Sequence, residues 1–155
     1  MKILISVDME GISSVVSDDQ VSRNGQDYQV AREIMTREAN YAIEGAFEGG
    51  AREVLVNDSH GTMRNLLANE LNPKAKLISG GTKELSMIQG LQEGVDGLFF
   101  VGYHAKRGTS QAILDHTYSG RSVWRLRINE QEMGETALNA FVAGAFNVPV
   151  LLVTG

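Results

Sequence analysis

Six side chains able to do chemistry punctuate this chain: Asp8, Glu10, His60, His104, His116 and Glu135. Asp8 and Glu10 lie two residues apart in Ser6-Val7-Asp8-Met9-Glu10-Gly11-Ile12, where an apolar run gives way to a glycine-containing turn. In an extended chain, positions i and i+2 point to the same side, so these carboxylates can converge on one point. Two carboxylates held that close repel unless a cation or a proton sits between them. A bound metal is the first hypothesis, and a solvated acidic turn is the alternative. The 155 residues include three histidines and no cysteine, so any metal is held by histidine, carboxylate or backbone oxygen. Two histidines with three carboxylates suit zinc, with manganese or cobalt as other options. Five ligands (Asp8, Glu10, His60, His104 and Glu135) exceed what one tetrahedral ion needs. A two-metal site about 3.5–4 Å across, with one carboxylate bridging, fits better.

Each residue also has a plain structural reading. His60, in Asn57-Asp58-Ser59-His60-Gly61, could be a turn residue, and His104 could be a core histidine donating to a backbone carbonyl. Glu135 could be an early-helix carboxylate favoured by the helix dipole. Their shared placement supports the metal reading, because two of the three histidines follow directly after strands. The third, His116, lies in Leu114-Asp115-His116-Thr117-Tyr118. Near a metal but outside its ligand set, a histidine can act as general acid/base or as nucleophile, since imidazole titrates near neutral pH. Asp115 is its neighbour, but in an extended segment the two side chains face opposite ways. No Asp–His pair is expected.

The elements that must position these residues read as α/β. Residues 2–8 form a near-continuous apolar strand, as expected where both faces are covered. Residues 11–26 are a polar loop, and 26–48 carry helical spacing in Ala31, Ile34, Ala42 and Ala46 before Gly49-Gly50 end the helix. Val54-Leu55-Val56 is a second strand, residues 64–71 a weak helix, Leu77-Ile78 a short strand, and 84–91 a short helix. Gly97 to Gly102 is a core strand that delivers Tyr103-His104. Residues 123–128 alternate as a half-exposed strand, and 112–133 form a hairpin-like insertion. A helix over 135–146, with Leu138, Phe141, Val142 and Ala145 inward, precedes a last strand, 148–153. The expected fold is one α/β domain over 1–155. It has a mostly parallel central sheet, flanking helices, a small antiparallel insertion, and a metal site at the C-terminal rim of the strands, where open α/β sheets bind ligands. The chain stops on an apolar strand running into Gly155, which reads as a break inside a larger protein.

Composition narrows the function classes. A hydrophobic content of 43% and a charged content of 21% are those of an ordinary globular protein. A net charge of −5 argues against a nucleic-acid partner. Arg121, Arg125 and Arg127 are the densest basic cluster, and a solvated or subunit-facing strand explains them as well as an anionic ligand does. No stretch reaches membrane-spanning length, so no membrane partner is expected and a cytoplasmic enzyme is the default.

Four blocks resemble one family: Ser6 to Ile12, Val56-Asn57-Asp58-Ser59-His60, Gly102-Tyr103-His104-Ala105, and Gly134-Glu135 with Leu138-Asn139-Ala140. In order and spacing they are similar to the zinc-dependent D-aminopeptidases of the DppA type, peptidase family M55. The resemblance runs along the whole chain. It implies two zinc ions per subunit, held by Asp8, Glu10, His60, His104 and Glu135 with Asp8 bridging, and it matches His116 to the proposed catalytic nucleophile. It also implies removal of N-terminal D-residues, typically D-alanine, from short peptides or amides. Large homo-oligomeric rings enclosing the active sites are implied too, a decamer being one such form. Members of the family are considerably longer, and this chain lacks the C-terminal part.

Two other readings stand beside this one. Another two-metal hydrolase, an amidase or a phosphoesterase, would use the same ligand set, with Lys106 and Arg107 available for phosphate. A non-catalytic metal-binding assembly protein would use the ions only to stabilise the fold.

Overall fold

The apolar run Ile3-Leu4-Ile5 becomes the middle strand of a five-stranded parallel sheet in the computed structural model, which describes residues 1–155. That strand, β1 (Lys2–Val7), lies between β2 (Glu53–Asp58) and β4 (Gly97–Val101). The short β3 (Lys76–Ile78) flanks β2, and β7 (Val150–Val153) flanks β4. A separate antiparallel pair, β5 (Arg127–Ile128) with β6 (Gln131–Glu132), is the insertion. The sheet order β3-β2-β1-β4-β7 means that the chain builds outward on one side of β1 and then crosses to the other. The direction reverses between β1 and β4, and the crevice beyond that switch point is where such sheets place ligands.

Side-chain alternation along β1 divides the core. Ile3, Ile5 and Val7 face α2 (Tyr28–Glu48), whereas Leu4 joins Phe100, Met87, Leu91 and Ala143 on the other face. The buried stripe of α2 is Ala31, Met35, Ala39, Ile43 and Ala46, at the three-to-four spacing that puts them on one side. Ile34 and Ala42 flank it half-buried. Fully burying Met35 and Ile43 contributes roughly 1.5–3 kcal/mol each. The chain leaves the helix through Gly50, whose φ of +92° suits glycine.

Several elements depart from the sequence-based expectation. Within 11–26 a single helical turn, α1 (Asp18–Val21), forms. No helix forms over 64–71, because the Asp58 carboxylate captures the N–H groups of Asn65 and Leu66 in place of a helical ladder. The expected helix over 84–91 is two 3₁₀ turns, Ser86–Ile88 and Leu91–Glu93, separated by Gly90 at φ +114°. Of the strand expected over 123–128, only Arg127 and Ile128 pair. Arg125 and Arg127 both reach Glu132 instead, at 2.7 and 3.2 Å.

Helix α3 (Glu135–Ala145) is rotated relative to expectation. It buries Glu135, Asn139 and Ala143, while Phe141 is 60% exposed. Leu138 and Val142 are half-buried and Ala145 is exposed. Glu135 faces the rim of the sheet, and that sets the phase for the residues four and eight positions on. No helix is long and apolar enough to cross a membrane.

Candidate metal centre

Backbone pairing continues past the strands and brings their ends level. The Asp8 N–H donates to the Val101 carbonyl at 2.8 Å, and the Ser59 N–H donates to Val7 at 2.8 Å. Beyond Val101 the chain turns at Gly102, with φ +69°, and a Cβ there would lie 2.4 Å from the Asp8 carbonyl oxygen. Glycine is required on both counts. The Gly11 N–H donates to the Gly102 carbonyl at 2.9 Å, fastening the loop that carries Glu10 to the one that carries His104. Glu135 opens α3 and accepts a hydrogen bond from the Tyr118 N–H at 2.6 Å.

These turns bring all six singled-out side chains together. His60 Nδ1 is 3.0 Å from Glu10 Oε2 and 3.4 Å from Asp8 Oδ1. His104 Nε2 is 3.5 Å from Asp8 Oδ2 and 3.3 Å from Glu135 Oε1. His116 Nε2 is 3.8 Å from both Glu10 Oε1 and Glu135 Oε1. Asp8 thus presents one oxygen to each of two histidines. Asp8, Glu10 and Glu135 are buried and the three histidines are half-buried. Two sets of donor atoms cluster tightly enough for one ion each: Asp8, Glu10 and His104, and His104, His116 and Glu135. His116 therefore stands within ligand reach rather than apart from it. Asp115 does not join it; its carboxylate accepts from the Gly108 N–H at 2.6 Å.

Each imidazole has one nitrogen occupied by a backbone carbonyl. His60 Nε2 donates to Val21 of α1 at 2.8 Å, His104 Nδ1 to Ala105 at 3.0 Å, and His116 Nδ1 to Leu114 at 2.9 Å. The other nitrogen of each ring faces the carboxylates. Such a carbonyl partner fixes ring orientation and raises ligand basicity.

Burial and charge act in opposite directions on these groups. Burial pushes the Asp8 carboxyl up, and the neighbouring Glu10 charge adds to that, against the pull of His60 and His104. Glu10 meets the same burial penalty, yet its hydrogen bond to His60 and the nearby imidazoles hold it down at about 2. Burial alone would lower His60, but its bonds to Asp8 and Glu10 outweigh that and raise it to about 11. His104 is lifted against burial to about 9 by Glu135 and Asp8. Without a metal, the carboxylates favour the protonated form of both rings.

The arrangement fits zinc on three observations. Asp8 Oδ2 and His104 Nε2 are buried, face each other, and have no hydrogen-bond partner, which is costly unless something else lies between them. Two atoms each ~2.1 Å from one zinc at a tetrahedral angle sit about 3.4 Å apart, which matches the separations of 3.3, 3.4 and 3.5 Å here. The donor set, imidazole and carboxylate without thiolate, is one that catalytic zinc uses.

Sequence reasoning did not single out the groups that support this cluster: the Val21 carbonyl, the Tyr118 N–H, and the buried polar side chains Ser6, Ser59 and Asn139. Backbone partners leave no trace in residue type. Ser6, a hydroxyl inside an otherwise apolar run, was the visible signal.

Comparison with known proteins agrees with the geometry. A model of the M55 peptidases, described as D-aminopeptidase, matches residues 1–155. A D-aminopeptidase of Bacillus subtilis (strain 168) is 47% identical over 155 residues, covering all of this chain and 56% of the relative. A solved structure described as the Zn-dependent D-aminopeptidase DppA from Bacillus subtilis, a self-compartmentalizing protease, superposes with a TM-score of 0.95 at 47% identity. That match covers 99% of this chain and 55% of the solved one. The chain spans about half the length of the relatives it matches.

Proposed function

The chain belongs to the M55 D-aminopeptidase family, and on that premise we propose that its rim cluster is the dinuclear zinc centre of an aminopeptidase. The enzyme releases N-terminal D-residues, D-alanine above all, from short peptides or amides. Asp8, Glu10, His60, His104 and Glu135 would hold two zinc ions per subunit, with Asp8 as the carboxylate common to both. The bridging role is supported by its two oxygens, one directed to His60 and one to His104. The observation that carries the proposal is the orphaned pair Asp8 Oδ2 and His104 Nε2 inside a cluster of three carboxylates and three histidines.

When bound, a zinc pair polarises a carbonyl and makes water acidic enough to attack near neutral pH. The protein's own residues do the rest. The Leu114 carbonyl fixes the His116 ring so that Nε2 faces Glu10 and Glu135. From there Nε2 either attacks the scissile carbonyl or takes a proton from the attacking water and returns it to the leaving amine. Ile12, Val15, Val16 and Ile113 supply the apolar part of a mixed, open cavity beside Glu10 and His104, with room for a short peptide. The cavity lined by Asp8, His60 and Glu135 includes no Lys or Arg, whereas the one lined by Glu10 and His116 includes Arg107 and Arg121, so the choice of an amide over a phosphoester rests on the family match. The self-compartmentalizing description of the solved relative supports a ring-like homo-oligomer, a decamer among its forms, enclosing these sites.

Elemental analysis of the purified protein, paired with hydrolysis of D-Ala-p-nitroanilide and its L counterpart, tests this reading. Two equivalents of zinc with D-selective release are expected. Zinc without release from either substrate would move the centre to another two-metal hydrolase. No metal after reconstitution would remove the reading altogether.

A further inference from the structure

We infer that Ser6, Tyr103 and Asn139 form a positioning unit for the zinc ligands, with the Ser6 hydroxyl tying together the four segments that deliver them. The inference rests on the metal-centre reading above. Ser6 lies two residues before Asp8, Ser59 directly before His60, Tyr103 directly before His104, and Asn139 one helical turn after Glu135. Each polar residue is therefore coupled through a few backbone bonds to a different ligand. All four are buried, none more than 4% exposed.

The Asn139 amide at one end and the Met87 carbonyl at the other give the chain of hydroxyls between them a consistent direction. The Asn139 amide Nδ2 donates to the Tyr103 hydroxyl at 3.2 Å. Tyr103 then donates to Ser6 Oγ at 2.8 Å, and Ser6 donates to the Met87 carbonyl at 2.5 Å. The Ser59 hydroxyl lies 2.6 Å from Ser6 Oγ and 2.9 Å from the same Met87 carbonyl. Asn57 Nδ2 also donates to Met87 at 2.6 Å and to Ser59 Oγ at 3.1 Å. A carbonyl can end such a chain because it only accepts.

Apolar residues would fill this space at lower cost, as Leu4 does on the same face of β1. Buried hydroxyls and amides are tolerated only when their hydrogen bonds are made, and a connected network fixes the relative placement of the segments it joins. Here the joined segments are the ligand-bearing ends of β1, β2, β4 and α3. Outer groups that orient metal ligands typically contribute 10–100-fold in metal affinity.

The test compares Tyr103→Phe and Ser6→Ala with the unaltered protein, measuring zinc affinity by chelator competition and the visible spectrum of the cobalt(II)-substituted form. Tyr103→Phe removes only the hydroxyl, since the ring keeps its stack on Phe100 at 4.5 Å. Val54→Ala, on the α2 side of the sheet and outside the network, controls for general loss of stability. Zinc affinity should fall roughly 10–100-fold in both network variants, with a shifted cobalt spectrum. Val54→Ala should melt earlier and leave affinity and spectrum unchanged. Unaltered affinity and spectrum in both network variants would overturn the inference, and so would an equal affinity loss in Val54→Ala. If the unaltered protein takes up neither metal, the metal-centre reading itself fails, which is a distinct result.

Discussion

The imidazoles of His104 and His116 lie face to face, with centroids 4.0 Å apart and planes 8° from parallel. A proposed ligand and the proposed catalytic residue thereby share one orientation, and both present Nε2 to Glu135. Replacing His116 separates a catalytic role from a ligand role, which its position within reach of Glu135 leaves joined. If it only transfers protons or attacks, His116→Ala keeps two zinc ions while turnover falls about 10²–10⁴-fold. Metal analysis and turnover on the same sample check this. Zinc retained with near-normal turnover would remove the catalytic role, and loss of one zinc would make His116 a ligand.

Asp8 is the one carboxylate that faces both His60 and His104. On the proposed function, Asp8→Ala is expected to lose metal and turnover together, because neither His60 nor His104 retains its shared acceptor. Two zinc ions retained in the variant would refute the bridging assignment.

Zinc and protons compete for the same nitrogens. In the metal-free protein His60 is raised to about 11 and His104 to about 9, both above the ordinary histidine value of ~6.5. Groups raised in this way contribute stability that is fully present below pH ~6.5 and lost as pH climbs through about 9 and then 11. The metal-free protein should therefore lose stability over that window. Zinc binding near pH 7.5 should release protons, so apparent zinc affinity rises with pH. Calorimetry in buffers of differing ionisation enthalpy would reveal the release; identical heats in all buffers would contradict it.

Asp58 organises the turn that follows His60. Its carboxylate accepts from the backbone N–H groups of Asn65 and Leu66 and from Asn65 Nδ2, which also donates to the His60 carbonyl at 2.6 Å. Asp58→Ala leaves buried donors unpaired and should destabilise the protein by about 3 kcal/mol in urea unfolding. A loss below about 1 kcal/mol would show that the turn finds other acceptors.

Gly102 tests the backbone itself. Alanine there would combine a φ of +69° with a Cβ 2.4 Å from the Asp8 carbonyl oxygen. Gly102→Ala should cost about 1–3 kcal/mol or more and displace Asp8 enough to weaken zinc binding. Unchanged melting and zinc affinity would show that the strand ends yield without consequence.

Much of the sheet was legible because buried parallel strands are written as apolar runs. Ile3 to Val7 and Leu98 to Val101 stood out for that reason, and the placement of Asp8, Glu10 and His104 beyond them followed. The connections were less legible. The segment over 64–71 resembles a weak helix until the Asp58 carboxylate, several residues earlier, takes its N–H groups. The face of α3 was misread because apolar periodicity pointed to Phe141, whereas one polar residue, Glu135, fixes the rotation of the helix. The proximity of His116 to the ligand atoms depends on turns over 105–120 that carry no periodic signal.

The parallel order of the sheet also sets when the centre can exist. Its contributors are spread from position 8 to position 135, and no two neighbouring strands of the five-stranded sheet are joined by a tight hairpin. A chain emerging from the ribosome has made Asp8, Glu10, His60 and His104 once the turn after β4 is complete, but Glu135 and the Tyr118 N–H that orients it follow seconds later, at about 5–20 residues per second. In that interval the nascent chain holds an incomplete set of donors and a sheet still missing an edge strand. With the proposed ligand set, tight metal loading would be a late event, and a stably bound zinc pair would report that synthesis and folding have both passed α3.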